Sequence, residues 1–182
     1  MAKKKASVKK TTKLLAFLFA IIVSGFFAKE TVVKDYAEPV KGVIAGKVTK
    51  IADGDTLTII NSDNKLVKIR LYGIDAPETK QEFGSNSKQF LSSQINGKYI
   101  TVDVIDIDKY KRSVGRVFID DLDINREMVK NGYAWVYSQY MKLPEKSEWE
   151  NLQTIAKADK KGLWQEDNPT APWKWRKDPA YK

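Results

Sequence analysis

Neither cysteine nor histidine occurs anywhere in the 182 residues. Without cysteine there is no disulfide framework and no thiolate zinc site. Without histidine there is no imidazole ligand, no Ser-His or Cys-His nucleophile pair and no imidazole base. Chemistry in this chain must run on carboxylates, hydroxyls, lysines and arginines, and the metals those groups suit are hard cations. Acidic residues are missing from the first 28 positions, which hold six of the 32 basic residues: Lys3, Lys4, Lys5, Lys9, Lys10 and Lys13. The remaining chain carries 26 basic against 23 acidic groups, so the formal charge of +9 falls to +3 there. A mildly basic body of that kind is not marked as a nucleic-acid binder by charge alone. Aliphatic and aromatic residues make up 42% of the chain, enough for a core and too many for whole-chain disorder.

After Lys13 comes an uncharged apolar run, Leu14–Ala28, 15 residues long. A basic stretch followed by such a run has the layout of a secretory signal, and it is short for a spanning helix, which takes about 17–25 apolar residues. Cleavage after Gly25 puts Val23 and Gly25 at the small-residue positions. Cleavage after Ala28 puts Phe26 at one of them. Removal and retention as a membrane anchor both stay open. Either way the lysines stay inside and the body is expected outside the cytoplasm. Residues 29–42 are charged, contain Pro39 and Gly42, and read as a linker or loosely attached arm.

The body, 43–176, opens with period-two segments at Val43–Ile51, Asp55–Ile60 and Leu66–Leu71, the last two separated by the turn-forming run Asn61-Ser62-Asp63-Asn64. Phe83–Ile95 predicts a helix, Tyr99–Ile105 and Val114–Ile119 two more strands, and Ile124–Asn131 a short helix with Asp123 as N-cap and Gly132 as its C′ residue. Ser147–Lys161 predicts a longer helix with a capping box at Ser147-Glu148-Trp149-Glu150 and a buried face of Trp149, Leu152, Ile155 and Ala156. The expected class is α+β, mainly β: a five-stranded antiparallel barrel of the OB type with three helices packed beside it. Residues 177–182 form a tail.

Chemistry-bearing residues gather around one predicted hairpin. Asp55 stands at the start of the second strand and Asp75 just past the end of the third, so a closed hairpin brings them together. Two carboxylates and a backbone carbonyl form an oxygen-rich nest suited to a hard cation such as calcium. Glu78 lies three residues on and could accept a proton from water. Arg70 lies near enough to face a phosphate. Each piece taken singly has a bland reading as turn, solvated strand or loop; the specificity lies in their order across the hairpin.

Those pieces carry a resemblance. Ala52-Asp53-Gly54-Asp55-Thr56, Ile69-Arg70-Leu71, Gly73-Ile74-Asp75-Ala76-Pro77-Glu78-Thr79, Asp108-Lys109-Tyr110-Lys111-Arg112, Asn125-Arg126-Glu127-Met128-Val129, Gly132-Tyr133-Ala134, Gly162-Leu163-Trp164 and Ala171-Pro172-Trp173-Lys174-Trp175-Arg176 together resemble the thermonuclease family of staphylococcal type, over about residues 43–176. The resemblance implies a calcium-dependent endonuclease acting on DNA and RNA and leaving 3′-phosphate ends. It implies calcium held by Asp55, Asp75 and the carbonyl of Ala76. Glu78 becomes general base or water-orienting group, and Arg70 and Arg112 grip phosphate. Lys109, Tyr110 and Tyr140 fall on the substrate, and a monomer is expected. For Trp164, Trp173 and Trp175 core or lid packing is the expected role. The family pattern has Gly where Lys111 stands, so a reshaped loop is expected there, with Arg116 the rival to Arg112. The other functional class open to the chain is a silent OB module that only binds nucleic acid or protein at the membrane.

Overall fold

A computed structural model describes residues 35–141 and 145–181; the lysine-rich start and the apolar run Leu14–Ala28 lie outside them. Among the described residues no helix is long and apolar enough to cross a membrane. Strands β1 (Gly42–Ile51), β2 (Thr56–Ile60) and β3 (Leu66–Leu71) form an antiparallel meander, and β5 (Tyr99–Ile107) and β6 (Ser113–Ile119) a hairpin. β1 also pairs with β5. The barrel closes where β3 meets β6, and that pairing is parallel, Ile69 to Ser113 through Leu71 to Gly115. The expected five strands are therefore present in a mixed barrel, not an all-antiparallel one. A meander of three strands followed by a hairpin leaves β3 and β6 running the same way at the seam.

Alternation does the sorting. Leu57, Ile59, Ile69, Val102 and Val117 are 0% exposed and fill the barrel. Burying a side chain of that size stabilises the fold by about 1.5–3 kcal/mol. Both long strands carry a register shift, between Val48 and Lys50 in β1 and between Val104 and Asp106 in β5, which gives the extra bend that a small closed barrel needs. The described part of the N-terminal arm is tied down: Ala37 N–H donates to Leu66 O and Leu66 N–H to Asp35 O, both at 2.9 Å.

Helix α1 (Gly84–Ile95) buries Leu91 and Ile95, and Phe90 stacks on Tyr133 at 4.2 Å. It starts one residue later than the pattern suggests, because Phe83 sits at φ 62 and caps it without a side-chain bond. Three short strands follow the same logic of pairing: β4 (Ile74–Asp75) with β8 (Trp135–Val136), and β7 (Leu122–Asp123) with β6. Helix α2 (Ile124–Lys130) is capped as expected: the Asp123 side chain accepts the Arg126 N–H at 3.1 Å, and Gly132 takes φ 73 just past the end.

Helix α3 (Glu145–Ala158) corrects the sequence reading. It begins two residues before Ser147, so Ser147 lies inside the first turn. It buries Trp149 and Ala156, whereas Ile155 is exposed. At its end Lys160 takes a left-handed φ of 51; Lys161 N–H reaches Ala156 O at 2.9 Å and Lys160 N–H reaches Lys157 O at 3.1 Å. Gly162, also left-handed at φ 54, serves a close approach. A β-carbon there would collide with the carbonyl oxygen of Gly132, which accepts the Leu163 N–H at 2.8 Å. The C-terminal helix α4 (Pro172–Trp175) completes the architecture.

Candidate active site

The site is assembled at the mouth of the β2–β3 hairpin. The turn Asp53-Gly54-Asp55 is held by the Asp53 side chain, which accepts the Asp55 N–H at 3.0 Å, and by Ala52 N–H to Thr56 O at 2.8 Å. Gly54 faces α1, where a β-carbon would strike the Ser87 side chain and the Ala76 methyl. Across the hairpin Thr56 lies opposite Arg70, and Leu71 N–H donates to Asp55 O at 2.9 Å. Asp75 is fixed from the other side by β4–β8 pairing, Asp75 opposite Trp135, with Tyr137 N–H on Gly73 O at 2.8 Å.

These backbone constraints bring three predicted residues into direct contact. Arg70 Nη1 lies 3.0 Å from Asp55 Oδ2, and Arg70 Nη2 donates to Asp75 Oδ1 at 3.0 Å. Both carboxylates are buried, Asp55 6% and Asp75 1% exposed. Ala76 is buried between them and enters through its N–H, which donates to Asp55 Oδ2 at 2.8 Å. Glu78, half-buried, belongs to the same group through Arg176: Arg176 Nη1 donates to Glu78 Oε1 at 2.7 Å and to Asp75 Oδ1 at 3.1 Å, and Nη2 to Asp75 Oδ2 at 2.8 Å. Burial pushes the Asp75 carboxyl up, with the Arg176 hydrogen bond opposing. The Asp53 carboxyl is pushed up to about 6 by burial and then by the charge of Asp55.

Arg112 comes in from the β5–β6 loop. Its Nη1 lies 3.4 Å from Thr56 Oγ1, and that hydroxyl donates to Asp55 Oδ1 at 3.0 Å, so one hydroxyl separates Arg112 from the carboxylates. Lys111 takes φ 59, a left-handed conformation that a glycine adopts freely. Asp108 accepts the N–H groups of Tyr110 and Arg112 at 2.9 Å each and Arg112 Nε at 2.6 Å. Burial raises the Asp108 carboxyl, and the hydrogen bonds and charge of Arg112 outweigh it and hold it below the ordinary range. Tyr110 is exposed, with Lys109 and Arg112 over its ring at 5.1 and 5.5 Å. Arg116 is engaged elsewhere, donating to Asp123 and lying 3.7 Å from Glu145 and 5.8 Å from the Trp149 ring centre. The side chain of Tyr140 lies outside what is described.

Three participants carried no assigned role in the sequence reading. Asp53 was visible as part of Asp-Gly-Asp. Tyr137 stacks on Trp173 at 5.3 Å and, with Gln139, Arg176 and Lys177, lines a cleft of about 500 Å³ beside the carboxylates. Arg176 was legible only as the end of an aromatic, basic run; nothing local signals a contact with a residue 101 positions earlier. Trp164 is buried against Trp135 at 4.4 Å, a packing role as expected.

The donor chemistry suits a hard cation in kind: all oxygen, no nitrogen or sulfur. Asp53, Asp55, Asp75 and Glu78 face two guanidinium groups, Arg70 and Arg176, leaving a formal excess of two negative charges. Among the described residues no group of three or more acidic side chains is already drawn together as a cage, so Asp55 and Asp75 would have to be supplemented by backbone oxygen, water or substrate.

Residues 68–166 match the family model described as staphylococcal nuclease homologue. The chain belongs to the staphylococcal nuclease family. It is 42% identical over 134 residues to a protein of Escherichia coli O157:H7 named "uncharacterized endonuclease", covering 73% of this chain and 85% of that one. A protein of the same name in Haemophilus influenzae is 42% identical over 131 residues, 72% of each chain. A rice protein named "probable staphylococcal-like nuclease CAN3" is 43% identical over 111 residues, 61% of this chain and 29% of its own length.

Proposed function

We propose that this staphylococcal nuclease family member is a calcium-dependent endonuclease that hydrolyses phosphodiester bonds of DNA and RNA, leaves 3′-phosphate ends, and works outside the cytoplasm. The observation that carries the reading is the convergence of Asp55, Asp75 and Arg70 beside Glu78 in a buried, oxygen-rich mouth. Family membership and the endonuclease names of the two bacterial relatives support it.

Asp55 and Asp75, with the Ala76 carbonyl, are the groups that would hold calcium, which when bound polarises a phosphoryl oxygen and favours ionisation of water. Glu78, on the loop leaving β4, takes the proton of the attacking water or orients it. Arg70 presents a planar fork at the same mouth, and Arg112 a second one from the β5–β6 loop. Two preset guanidinium groups stabilise charge that builds on the phosphoryl oxygens, and each is worth about 2.7–4 kcal/mol if it behaves like other preorganised donors. Lys109 and Tyr110 sit on the exposed loop beside Arg112, where they can meet the sugar–phosphate backbone. Tyr137 and Trp173 offer aromatic faces to a base, and stacking of that kind tolerates any sequence.

Plasmid nicking with the full chain tests the reading. Calcium should support it, a chelator should abolish it, and Asp75→Ala should lose both calcium binding and turnover. Full activity in chelator would remove the metal site. Folded protein with no nicking in calcium would favour the silent binding module instead, a reading that finds its support in the guanidinium groups already engaging Asp75 and Glu78. Export rests on the lysine-rich start and the apolar run, and protease added to intact cells should digest the body.

A further inference from the structure

Arg70 and Arg176 share Asp75 unequally. Arg70 is held within β3, is 15% exposed, and takes one oxygen from each aspartate: Asp55 Oδ2 and Asp75 Oδ1. Its Nη1 also donates to Leu71 O at 3.1 Å. Arg176 takes the rest of Asp75, Oδ2 at 2.8 Å and Oδ1 at 3.1 Å, and adds Glu78 Oε1 at 2.7 Å. It is 43% exposed. Its backbone is fixed by what precedes it. Ala171 and Pro172 are buried, Trp173 packs on Tyr137 at 5.3 Å and Trp135 at 5.6 Å, and Gln81 Nε2 donates to Thr170 O at 2.5 Å. Arg176 N–H closes the last turn on Pro172 O at 3.0 Å. The guanidinium thus sits on a flexible stem beyond a docked aromatic anchor and can leave the carboxylates without unpacking anything.

We propose that Arg176 is a built-in counter-cation of the active site, which competes with a divalent metal ion for Asp75 and Glu78 and must swing aside before the ion is held. The proposal rests on the reading of Asp75 as a metal ligand. A divalent ion on Asp75 needs the lone pairs that Arg176 uses, and its charge repels the guanidinium at that range. Arg70 cannot play this part, because β3 and the Leu71 carbonyl hold it in place. The device keeps the buried Asp75 carboxylate and Glu78 paired while calcium is scarce. It also raises the calcium concentration at which the site fills.

Calorimetric titration of calcium into the full chain, without nucleic acid, tests it, with Asp75→Asn as control. Arg176→Ala, and Arg176→Gln with its stem kept, should bind calcium about ten- to a hundredfold more tightly than the wild type, the range set by hydrogen bonds to charged groups. In chelator Arg176→Ala should melt below the wild type, and in saturating calcium that gap should close. A residue that merely pins α4 would lower the melting temperature equally in both conditions and leave the affinity unchanged, which overturns the proposal. Unchanged calcium affinity with a raised KM for DNA would make Arg176 a phosphate ligand and also overturns it. If calcium binds Asp75→Asn as well as the wild type, the metal-site reading itself fails and takes the proposal with it.

Discussion

Arg112 and Arg116 lie four residues apart and have different work. Arg112 points through Thr56 toward Asp55, while Arg116 is braced by Asp123 and Glu145 over Trp149. Arg112→Lys keeps the charge and loses the fork, so kcat should fall by about a hundredfold or more with little change in melting temperature. Arg116→Lys should lower the melting temperature and leave the turnover of folded protein nearly intact. Steady-state kinetics and thermal melts on both variants decide the assignment; loss of turnover in folded Arg116→Lys alone would reverse it. Asp53 carries a pH signature. Its carboxyl is raised from 3.8 to about 6, by burial first and Asp55 second, so the folded protein holds that proton more tightly than the unfolded chain. The stability this brings is fully present below about pH 4 and is lost as pH rises through about 6. In chelator Asp53→Asn, which can still accept the Asp55 N–H, should therefore melt several degrees above the wild type at pH 8 and gain nothing at pH 4. An equal gain at both values would mean that charge on Asp53 is not the cause.

The loop joining β5 to β6 shows how an element absorbs an unfavourable residue. Lys111 at φ 59 pays the left-handed strain of a side chain, about 1–2 kcal/mol. Asp108 offsets it by collecting Tyr110 N–H, Arg112 N–H and Arg112 Nε on one carboxylate. Lys111→Gly should hold or raise the melting temperature and leave nicking intact, since relief of strain is set against the extra freedom of glycine in the unfolded chain. Lys111→Val should lower both, because a β-branched residue resists this conformation. Parallel nicking assays and melts would show it, and a Val variant as stable as the wild type would refute the strain. Asn125, the second residue of α2, does comparable work at the barrel seam. Fully buried, it donates to Tyr72 O at 2.9 Å and Gly115 O at 3.1 Å and accepts Val117 N–H at 3.0 Å, tying the β3–β6 seam to the helix. Asn125→Ala removes the side-chain acceptor of the buried Val117 N–H together with both ties to the seam, and should cost about 1–3 kcal/mol in denaturant melts. Asn125→Asp should cost at least as much, since a carboxylate cannot donate to two carbonyls.

At the scale of the whole described unit, a small barrel has its candidate site covered by a segment about a hundred residues later in the chain. β4–β8 pairing presents Asp75 to the β2–β3 mouth, α1 supports Gly54 from behind, and the docked run around α4 lays Arg176 across the carboxylates. The aromatic anchor makes that reach possible: Trp173 lies between Tyr137 and Trp135, and Trp164 packs on Trp135 as well.

The amino-acid sequence alone determined the local half of this picture. Period-two alternation marked the five barrel strands, Asp123 and Gly132 bounded α2, and Asp55, Arg70, Asp75 and Glu78 stand close enough along one hairpin for chain geometry to bring most of them together. Other features lay beyond any short window. The parallel β3–β6 seam, the capture of Asp75 by β8, the start of α3 ahead of Ser147 and the exposure of Ile155 depend on which surfaces meet, and a period-based pattern says only which residues could be buried. The strain of a side chain at Lys111 is legible in the sequence, whereas the Asp108 contacts that offset it form only in the folded loop. Arg176 is the extreme case. Its partners lie about a hundred residues earlier, and only packing of the aromatic C-terminal segment against the barrel puts a guanidinium on carboxylates that chain connectivity alone would never bring to it.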